Sequence, residues 1–560
     1  MPRGRVPLGR ALLQLSLVVV AAALAIPLAT ASAGAAAPAG VRTATEPAAT
    51  RGLSPFSDGM PASLVLGQSN FTTNQPNVTP TNVSTPISVA VDSAGDVWVS
   101  DESVPRVVEY RAPVYSGEPA SVVLGQSTLY SAGQRLTASG MDMPFGIAFS
   151  PSGDLWVADY GFCRITEFVP PFTSGMAASV VIGQSSFTTS TCGHSEAQLR
   201  DPNGIAVDPS GDLFVADSLD NRVVEFTPPF SNGMLASAVL GQSTWAGDGG
   251  GTSAVNLSCP LGVAASASMV WVGDSPCGNS RIMGFPQPVK TNETATAILG
   301  QASFTSSGAT GDNVTYNPNA LAVDSDGNLY AVDYDLNRVD VFTPPFTPFK
   351  TPTVVLGQST LSGVQPGLTA TNLSEPRGVA VAPNGTLWVV DYGNARILGY
   401  VPATFSVTFQ ESGLPAGSPW AIAVDGTAHL GTASALAVRA INGTHAWTVG
   451  PAPPGYHVTS AAAGTVTVNG TAEIVTVAFA QNSSSPSLLE GLGIGIVVGL
   501  VAGAAVGILL GRRRKSGPSG AAAWSGPGAA GAGPSAPPAG ASPPPAPPPA
   551  SGGPPPGATG

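Results

Sequence analysis

The chain contains four short apolar runs that are separated by turn residues: Gly204-Ile-Ala-Val207, Asp212-Leu-Phe-Val-Ala216, Arg222-Val-Val-Glu-Phe226 and Ala236-Ser-Ala-Val-Leu240. The turn between the first two runs reads Asp208-Pro-Ser-Gly-Asp212, which is typical of a hairpin. Short runs rich in Val, Ile and aromatic residues, without a helical period, predict β-strands. The stretch therefore predicts a unit of four antiparallel strands.

The same four-strand pattern occurs six times along the sequence. A Gly-Gln-Ser phrase, Gly-Gln-Ala in the fifth copy, recurs at intervals of 58, 58, 58, 59 and 57 residues, beginning at Gly67, Gly125, Gly183, Gly241, Gly300 and Gly357. A second phrase ends each time in an aspartate: Asp101, Asp159, Asp217, Asp274, Asp333 and Asp391. A fixed period of this length indicates one supersecondary unit stacked on copies of itself. Four antiparallel strands in each copy predict the blade of a β-propeller.

The order of the pieces predicts how the ring closes. A fourth-strand phrase, Ala62-Ser-Leu-Val-Leu-Gly67, precedes the first complete copy, whereas the last copy ends at Tyr400 without one. Pairing the first phrase with the last copy gives six complete blades and leaves no open sheet edge, which would invite aggregation. The first run of each copy has small residues, as in Gly146-Ile-Ala148, and fits an innermost strand. We therefore expect an all-β chain with a six-bladed propeller over residues 55–402.

The repeat resembles the NHL family of propeller repeats. Two copies carry the resemblance: Pro202-Asn-Gly-Ile-Ala-Val-Asp208 with Gly211-Asp-Leu-Phe-Val-Ala-Asp217, and Pro376-Arg-Gly-Val-Ala-Val381 with Gly385-Thr-Leu-Trp-Val-Val-Asp391. The resemblance implies a propeller fold. It does not imply one function, because the family includes enzymes, RNA-binding proteins and extracellular sensor domains.

The N-terminal segment predicts export. Residues 1–33 combine Arg3, Arg5 and Arg10 with an apolar stretch and small-residue cleavage sites, which is typical of a secretory signal peptide. Residues 34–54 form a linker to the propeller. The chain is thus expected to enter an extracytoplasmic compartment.

The C-terminal segment predicts a membrane anchor. After a linker at 482–490, residues 491–511 hold 21 positions without a charge, followed at once by Arg512-Arg-Arg-Lys515. This pattern predicts one transmembrane helix whose C-terminal side is cytoplasmic. A buried helix is the alternative, which three glycines at the start and the basic stop disfavour. Residues 512–560, rich in Pro, Gly and Ala, predict a disordered cytoplasmic tail.

A second folded unit is predicted over residues 403–481. Five runs alternate or are apolar between Gly and Pro turns, at Thr404–Phe409, Trp420–Val424, Ala446–Val449, Gly464–Val468 and Ile474–Phe479. Such strands predict a small Ig-like β-sandwich. The phrase Phe409-Gln-Glu-Ser-Gly-Leu-Pro415 resembles a module of archaeal surface proteins, and its place suggests a spacer between the propeller and the membrane.

Four cysteines, all in the propeller, predict two disulfides in an exported chain. Cys163 and Cys277 lie in loops between second and third strands, and Cys192 and Cys259 in connections that leave or reach a blade. Because these loop types share one face of a propeller, we expect Cys163–Cys192 and Cys259–Cys277. A soft-metal site is the alternative, which the lack of CxxC spacing and of a histidine cluster disfavours.

The surface composition fits a glycosylated exterior. Eleven Asn-Xaa-Ser/Thr sequons lie between Asn70 and Asn482, most of them before a first strand. We expect glycosylation at four of these: Asn82, Asn256, Asn313 and Asn372. The formal net charge of −12 argues against nucleic acid as a partner, since phosphate binding requires a basic face.

Little in the sequence predicts catalysis. The propeller has a single histidine, His194, so a cage of several histidines around zinc is excluded by inventory. The segment Asp324-Ser-Asp-Gly-Asn328 lacks the glutamate of a calcium loop and predicts a hairpin turn. We expect no cofactor and no metal site.

Two repeated motifs invite catalytic interpretations that their repetition disfavours. Each repeated aspartate is followed by an arginine, and six equivalent pairs predict a structural contact in every blade. The six arginines are Arg106, Arg164, Arg222, Arg281, Arg338 and Arg396. Gly-Gln-Ser is not a nucleophile elbow, because the elbow's second glycine is absent and Ala302 replaces Ser in the fifth copy.

Residues that vary between copies beside the channel mouth are the candidate ligand-binding residues. Four lie at the start of a first strand and three follow a second strand, namely Phe145, Asn203, Asn319 and Arg377, and Tyr160, Tyr334 and Tyr392. Tyrosines, amides and one guanidinium around a funnel suit sugars or peptide segments. Ordinary loop residues are the alternative interpretation.

The sequence therefore favours a single-pass cell-surface protein whose propeller is a binding or adhesion module. Its expected partner is an extracellular ligand, a glycan or an envelope protein. One alternative is an extracytoplasmic propeller enzyme of lyase or lactonase type with a channel metal. The other is an architectural envelope component.

Overall fold

The structure, a computed structural model, describes residues 54–308 and 317–482. The predicted signal peptide, transmembrane helix and tail lie outside these residues. Within them, no helix is long and apolar enough to cross a membrane. Apart from three short 3₁₀ turns (Tyr160–Phe162, Ser218–Asp220 and Tyr392–Asn394), the regular elements named below are β-strands.

Six four-stranded antiparallel sheets form the propeller. A lone first strand, β1 (Leu64–Leu66), precedes blade 1, which consists of β2 (Pro86–Val91), β3 (Val97–Asp101), β4 (Arg106–Tyr110) and β5 (Val122–Leu124). Blade 2 consists of β6 (Pro144–Phe149), β7 (Leu155–Asp159), β8 (Arg164–Phe168) and β9 (Val180–Ile182). Blade 3 consists of β10 (Pro202–Val207), β11 (Leu213–Asp217), β12 (Arg222–Phe226) and β13 (Ala238–Leu240).

The second half of the ring repeats this arrangement. Blade 4 consists of β14 (Pro260–Ala265), β15 (Met269–Asp274), β16 (Arg281–Pro286) and β17 (Ala297–Leu299). Blade 5 consists of β18 (Pro318–Val323), β19 (Leu329–Asp333), β20 (Arg338–Phe342) and β21 (Val354–Leu356). Blade 6 consists of β22 (Pro376–Val381), β23 (Leu387–Asp391) and β24 (Arg396–Tyr400), completed by β1.

The predicted closure is confirmed. Strand β1 pairs antiparallel with β24, so that Val65 lies opposite Leu398 and Leu66 opposite Ile397. The first strand of each blade contacts the first strands of both neighbours, and β2 contacts β22. The ring therefore has six blades, and its last sheet joins the two ends of the propeller segment.

The core lies between neighbouring blades. Trp98 and Leu124 of blade 1, for example, pack in one buried cluster with Ile147 and Val157 of blade 2. Because the second strands are buried almost throughout, their large side chains fill the space between sheets. This packing leaves the small residues of the first strands to face the axis.

The Gly-Gln-Ser phrase has a structural explanation. Its glycine has a positive φ, and a Cβ on Gly241 would stand 2.7 Å from the carbonyl oxygen of Asn221. Its glutamine crosslinks three segments, since Gln184 Nε2 donates to the carbonyls of Cys163 and Thr191, both at 3.0 Å. Gln184 Oε1 accepts from the Thr191 backbone N–H at 3.0 Å. The phrase thus ties the fourth strand to the two loops of the same face.

The second unit is a β-sandwich of two four-stranded sheets, ordered β28-β25-β32-β30 and β27-β26-β29-β31. The strands are β25 (Thr404–Ser412), β26 (Trp420–Val424), β27 (Thr427–Gly431), β28 (Ala435–Ile441), β29 (Gly443–Val449), β30 (Tyr456–Val458), β31 (Ala463–Val468) and β32 (Glu473–Gln481). Five of these were predicted in outline; β27, β28 and β30 were not. Strands β25 and β32 pair in parallel.

Candidate functional site

The two faces of the propeller are unlike. Loops between second and third strands and the long connections between blades lie on one face, called here the loop face. The hairpin turns between first and second strands lie on the other, where the sandwich packs. Asn442 Nδ2 donates to the Ser54 carbonyl at 3.2 Å on that side, and Ile441 lies beside Gly385. The open end of the channel is therefore on the loop face.

A local irregularity of each first strand shapes the channel mouth. Each first strand begins with a proline opposite the aspartate that ends the second strand, as Pro202 lies opposite Asp217. The register shifts directly after that proline in all six blades. A bulge releases the following residue from the regular ladder and redirects its side chain. These released positions are Ile87, Phe145, Asn203, Leu261, Asn319 and Arg377.

A second set of positions lies just outside the first, directly after each second strand. These are Glu102, Tyr160, Ser218, Ser275, Tyr334 and Tyr392. We call the two sets together the mouth ring. The structure places all seven of the predicted ligand-binding residues in the mouth ring. Five of them form two clusters, whereas Asn203 and Asn319 line the channel outside both clusters.

The first cluster centres on Arg377. Its guanidinium carbon lies 4.2 Å from the ring centroid of Tyr392 and 5.2 Å from that of Tyr334. The Tyr334 hydroxyl donates to Glu375 Oε2 at 3.0 Å. Burial and this hydrogen bond raise the pKa of Tyr334, against the opposing effect of the nearby Arg377. The guanidinium is therefore held between two aromatic rings, one of which is fixed by a carboxylate.

The second cluster centres on Tyr160. Its ring stacks on Phe145 with centroids 4.5 Å apart, and its hydroxyl donates to Asp201 Oδ2 at 2.8 Å. Phe145 is buried, with only 8% of its surface exposed, so it supports the face of Tyr160 from below. Burial raises the pKa of Asp201, while the bond from Tyr160 lowers it.

Three acidic residues of the site were missed by the sequence prediction. Asp201 and Glu375 immediately precede a first-strand proline, and Glu102 occupies in blade 1 the position that Tyr160 occupies in blade 2. Burial raises the pKa of Glu102, and Arg377 acts to lower it. Aligning the six copies column by column would have found Glu102, because the tyrosines already marked its column.

Behind the mouth ring lies a narrow channel of about 240 Å³, most of whose lining side chains are apolar. Its polar lining side chains are Ser88, Asn203, Asn319 and Arg377. At its far end, the last residues of the six first strands form a ring of apolar side chains, which we call the apolar neck. These residues are Val91, Phe149, Val207, Ala265, Val323 and Val381. Beyond the neck a cavity of about 960 Å³ lies between the hairpin turns and the sandwich.

The described channel lining does not fit a resident metal. It contains no His, Cys, Asp or Glu, and no group of three or more such residues positioned to hold a metal ion occurs within residues 54–308 and 317–482. The segment at Asp324 is a hairpin turn, since the Gly327 N–H donates to the Asp324 carbonyl at 3.1 Å. The residues described thus offer no donor set for the channel metal of the enzymatic alternative.

The repeated Asp–Arg pairs are buried structural contacts. Arg222 Nε donates to Asp217 Oδ2 at 2.7 Å, and the Asp217 Oδ1 atom accepts from the Arg200 backbone N–H. Both side chains are fully buried. In blade 5 the guanidinium of Arg338 pairs with Asp340 at 2.8 Å. These groups hold the loops of the face in place and lie below the mouth ring.

Both predicted disulfides are present, Cys163–Cys192 and Cys259–Cys277. Each joins a loop between a second and third strand to a long connection, and together they flank blade 3 on the loop face. Of the predicted glycosylation sites, Asn313 lies outside the described residues. The amides of Asn82 and Asn256 donate to backbone carbonyls, whereas Asn372 Oδ1 accepts from Thr369 Oγ1 at 2.7 Å. Glycosylation stays a prediction.

Comparison with known families supports the repeat assignment. The family model described as "NHL repeat" matches residues 199–226 and 373–400, in blades 3 and 6. A curated relative, peptidylglycine alpha-amidating monooxygenase of Rattus norvegicus, is 34% identical over 102 residues. The match covers 18% of this chain and 10% of the relative, and the Mus musculus protein matches to the same extent. The chain thus spans about a tenth of the length of these relatives.

Solved structures with similar chains include two enzymes. A catalytically inactive virginiamycin B lyase from Staphylococcus aureus with quinupristin is 14% identical, with a TM-score of 0.33, covering 58% of this chain and 82% of the lyase. A gluconolactonase from Xanthomonas campestris is 14% identical, with a TM-score of 0.37, covering 61% of this chain and 99% of the lactonase.

Proposed function

We propose that this chain, which contains NHL repeats and folds as a six-bladed β-propeller, is a binding module whose ligand docks at the mouth ring. The observation that carries the proposal is the mouth ring itself. Tyr160, Tyr334, Tyr392 and Arg377 are half-buried and grouped at the open end of the channel. The hydroxyls of Tyr160 and Tyr334 are oriented by Asp201 and Glu375, respectively.

Half-buried aromatic faces flanked by fixed polar groups are typical of binding sites. Aromatic rings offer apolar contact area at low cost in side-chain entropy, and fixed carboxylates and amides give direction. Because the sandwich covers the opposite face, a ligand reaches the channel from the loop face. An extracellular glycan, ligand or envelope protein fits this access.

The ends of the chain support a cell-surface location. The signal peptide predicted at 1–33 and the transmembrane helix predicted at 491–511 put the propeller outside the membrane and the C-terminal tail in the cytoplasm. In this proposal the sandwich is a spacer between the binding module and the membrane, and the sequons lie on the external side.

The test is a binding screen of the purified full-length chain on immobilised glycans and synthetic peptides. We expect at least one ligand class to bind, and Tyr160→Ala and Tyr392→Ala to weaken that binding at least about tenfold. The control is Tyr130→Ala, because Tyr130 is 70% exposed in the connection between β5 and β6, outside the mouth ring. Equal binding by all variants, or no binding to any probe, would contradict the proposal.

A further inference from the structure

The repeated buried arginines of this propeller bond most of their N–H donors to acceptors of the fold. Arg396 is an example: Nε donates to Asp391 Oδ2 at 2.7 Å, and Nη2 donates to the carbonyls of Thr369 and Asn372 at 2.8 and 3.0 Å. Its Nη1 donates to the Phe71 carbonyl. The same scheme of one carboxylate and several carbonyls recurs at Arg106, Arg164, Arg222 and Arg281. These side chains use most of their donors within the fold.

Arg377 is built differently. Its contacts are the ring faces of Tyr392 and Tyr334, and no ion pair joins it to any carboxylate of the described residues. Its Nε is buried without a hydrogen-bond partner among them. A guanidinium carries five N–H donors in a planar fork, and stacking on aromatic rings orients the plane without using those donors. The fork is therefore held between the two rings, and its Nε donor has no acceptor among the described residues.

The Arg377 guanidinium lies at the mouth of the channel, where the proposed ligand would bind. Arg377 lines the channel, where the other polar lining side chains are Ser88, Asn203 and Asn319. Two carboxyl groups lie near it: Glu102 of the mouth ring, and Glu375, which precedes the first-strand proline and accepts from the Tyr334 hydroxyl. Arg377 is thus the one cationic side chain of the mouth ring.

We propose that Arg377 binds the carboxylate of an acidic sugar, a ring of the uronic-acid type; this inference rests on the proposed function of the mouth ring. The guanidinium fork matches a carboxylate in a bidentate arrangement. The sugar hydroxyls, which both donate and accept, would meet the carboxylates of Glu102 and Asp201 and the amides of Asn203 and Asn319. The half-buried tyrosine rings offer the apolar surface that covers the pyranose face.

A sugar fits the surrounding groups better than a peptide terminus does. The ring presents several carboxylate and amide acceptors close to one cation, and a pyranose has several hydroxyl donors close to one acid group. A peptide C-terminus has a single backbone N–H near its carboxylate, which would leave most of these acceptors without a donor.

The experiment compares trigalacturonic acid with its methyl ester. The ester has the same sugar rings, but its carboxyl groups carry no negative charge. Calorimetric titration of the full-length chain should give a Kd for the acid at least about tenfold lower than for the ester. In Arg377→Gln that ratio should fall to about one, because the variant should lose more affinity for the acid than for the ester. The control Arg135→Gln removes a cation from an exposed site in the same face and should keep the wild-type ratio.

Three outcomes would overturn the inference. The first is equal affinity for acid and ester in the wild type; if both bind and Tyr392→Ala abolishes that binding, the proposed function still stands. The second is a ratio unchanged in Arg377→Gln, with the thermal midpoint showing that the variant is folded. The third is selective, Arg377-dependent binding of a tripeptide acid over its amide without binding of galacturonate, which would assign the fork to a peptide terminus.

Discussion

At the residue scale, one position in the loop after the second strand is an asparagine in two blades and an aspartate in a third. In blades 4 and 6 an asparagine in the loop after the second strand donates to the repeated aspartate: Asn279 to Asp274 at 2.8 Å and Asn394 to Asp391 at 2.9 Å. Blade 3 has Asp220 at this position. It is fully buried beside Asp217, and neither of its carboxyl oxygens has a hydrogen-bond partner among the described residues. Asp217 and Asp220 thus share Arg222, and Asp220 is also paired with Arg200, whose Nη1 lies 3.6 Å from its Oδ1.

This pair predicts a pH-dependent stability. Burial raises the pKa of Asp220, and it raises that of Asp217 to about 7, against the lowering effect of Arg222. A carboxyl with a higher pKa in the folded state takes up a proton on folding, so stability is lost as the pH rises through the folded pKa. The window runs from the ordinary value of 3.8 to about 7. The protein should therefore lose stability between these pH values because of this pair.

The change Asp220→Asn should stabilise the protein by about 1–3 kcal/mol at pH 8, because an amide donor replaces a second buried carboxylate. The gain should shrink at pH 5, where the wild-type pair holds a proton. The reverse change in blade 6, Asn394→Asp, should destabilise the protein and make its unfolding steeper in pH. Thermal unfolding from pH 5 to 8 measures both. A pH profile of Asp220→Asn that parallels the wild type would contradict the explanation.

The sequence predicted the mouth ring residues because their register relative to each repeated proline and aspartate is fixed. It did not predict that Phe145 is buried beneath Tyr160, or that Arg377 lies between two rings. Those facts depend on the distance between neighbouring blades, which no single repeat contains. Asp201, Glu375 and Glu102 were missed because carboxylates in loops are common and carry no signal by themselves.

At the scale of elements, the Gly-Gln-Ser phrase is a crosslink rather than a site. Its repetition in all six copies predicted a role in the fold, and the bonds of Gln184 to Cys163 and Thr191 show what that role is. The change Gln184→Leu would remove the partner of the buried Cys163 carbonyl and those of the Thr191 carbonyl and N–H. We expect a loss of about 2–4 kcal/mol, measured by denaturant unfolding.

The matched control is the neighbouring exposed residue. Ser185→Ala should change stability by less than about 0.5 kcal/mol, and Ala302 already occupies this position in the fifth copy. If Gln184→Leu proved as mild as Ser185→Ala, the crosslink would have no energetic importance.

The sandwich shows where element prediction fails. Strands β27, β28 and β30 expose alternate residues, as in the pattern of β28, where Val438 and Ala440 are buried and their neighbours are not. Strand β27 buries no residue fully, and β30 has three residues, so hydrophobic pattern gives little signal for either. Their places are set by partners such as β26 and β32, which lie elsewhere in the chain.

At the scale of the whole molecule, the ring depends on β1. Val65 of this strand is fully buried, and the strand lies against β24, which follows more than 300 residues later. The change Val65→Asp should cost about 3–5 kcal/mol, because it places a charge in the core and weakens the closing sheet. The control Ser63→Asp lies at an exposed position just before the strand and should be nearly neutral.

Thermal unfolding and size-exclusion chromatography measure the effect of opening. An open ring exposes the edge of β24, so Val65→Asp should also form oligomers on warming, before the control does. A Val65→Asp chain that stays monomeric and unfolds with the wild-type midpoint would show that the ring does not need β1. The closure itself was predictable from the order of repeat fragments, because it depends only on sequence position.

The apolar neck has a consequence for anything that enters the channel. The six side chains of the apolar neck, including Val91, Phe149 and Val323, separate the mouth ring from the cavity beside the sandwich. An ion or a sugar would have to lose its hydration shell to pass the apolar neck, and the side chains of the neck offer no hydrogen bonds in exchange. The channel is therefore closed to polar ligands at the apolar neck. A polar ligand that binds at the mouth ring should dissociate through the same opening.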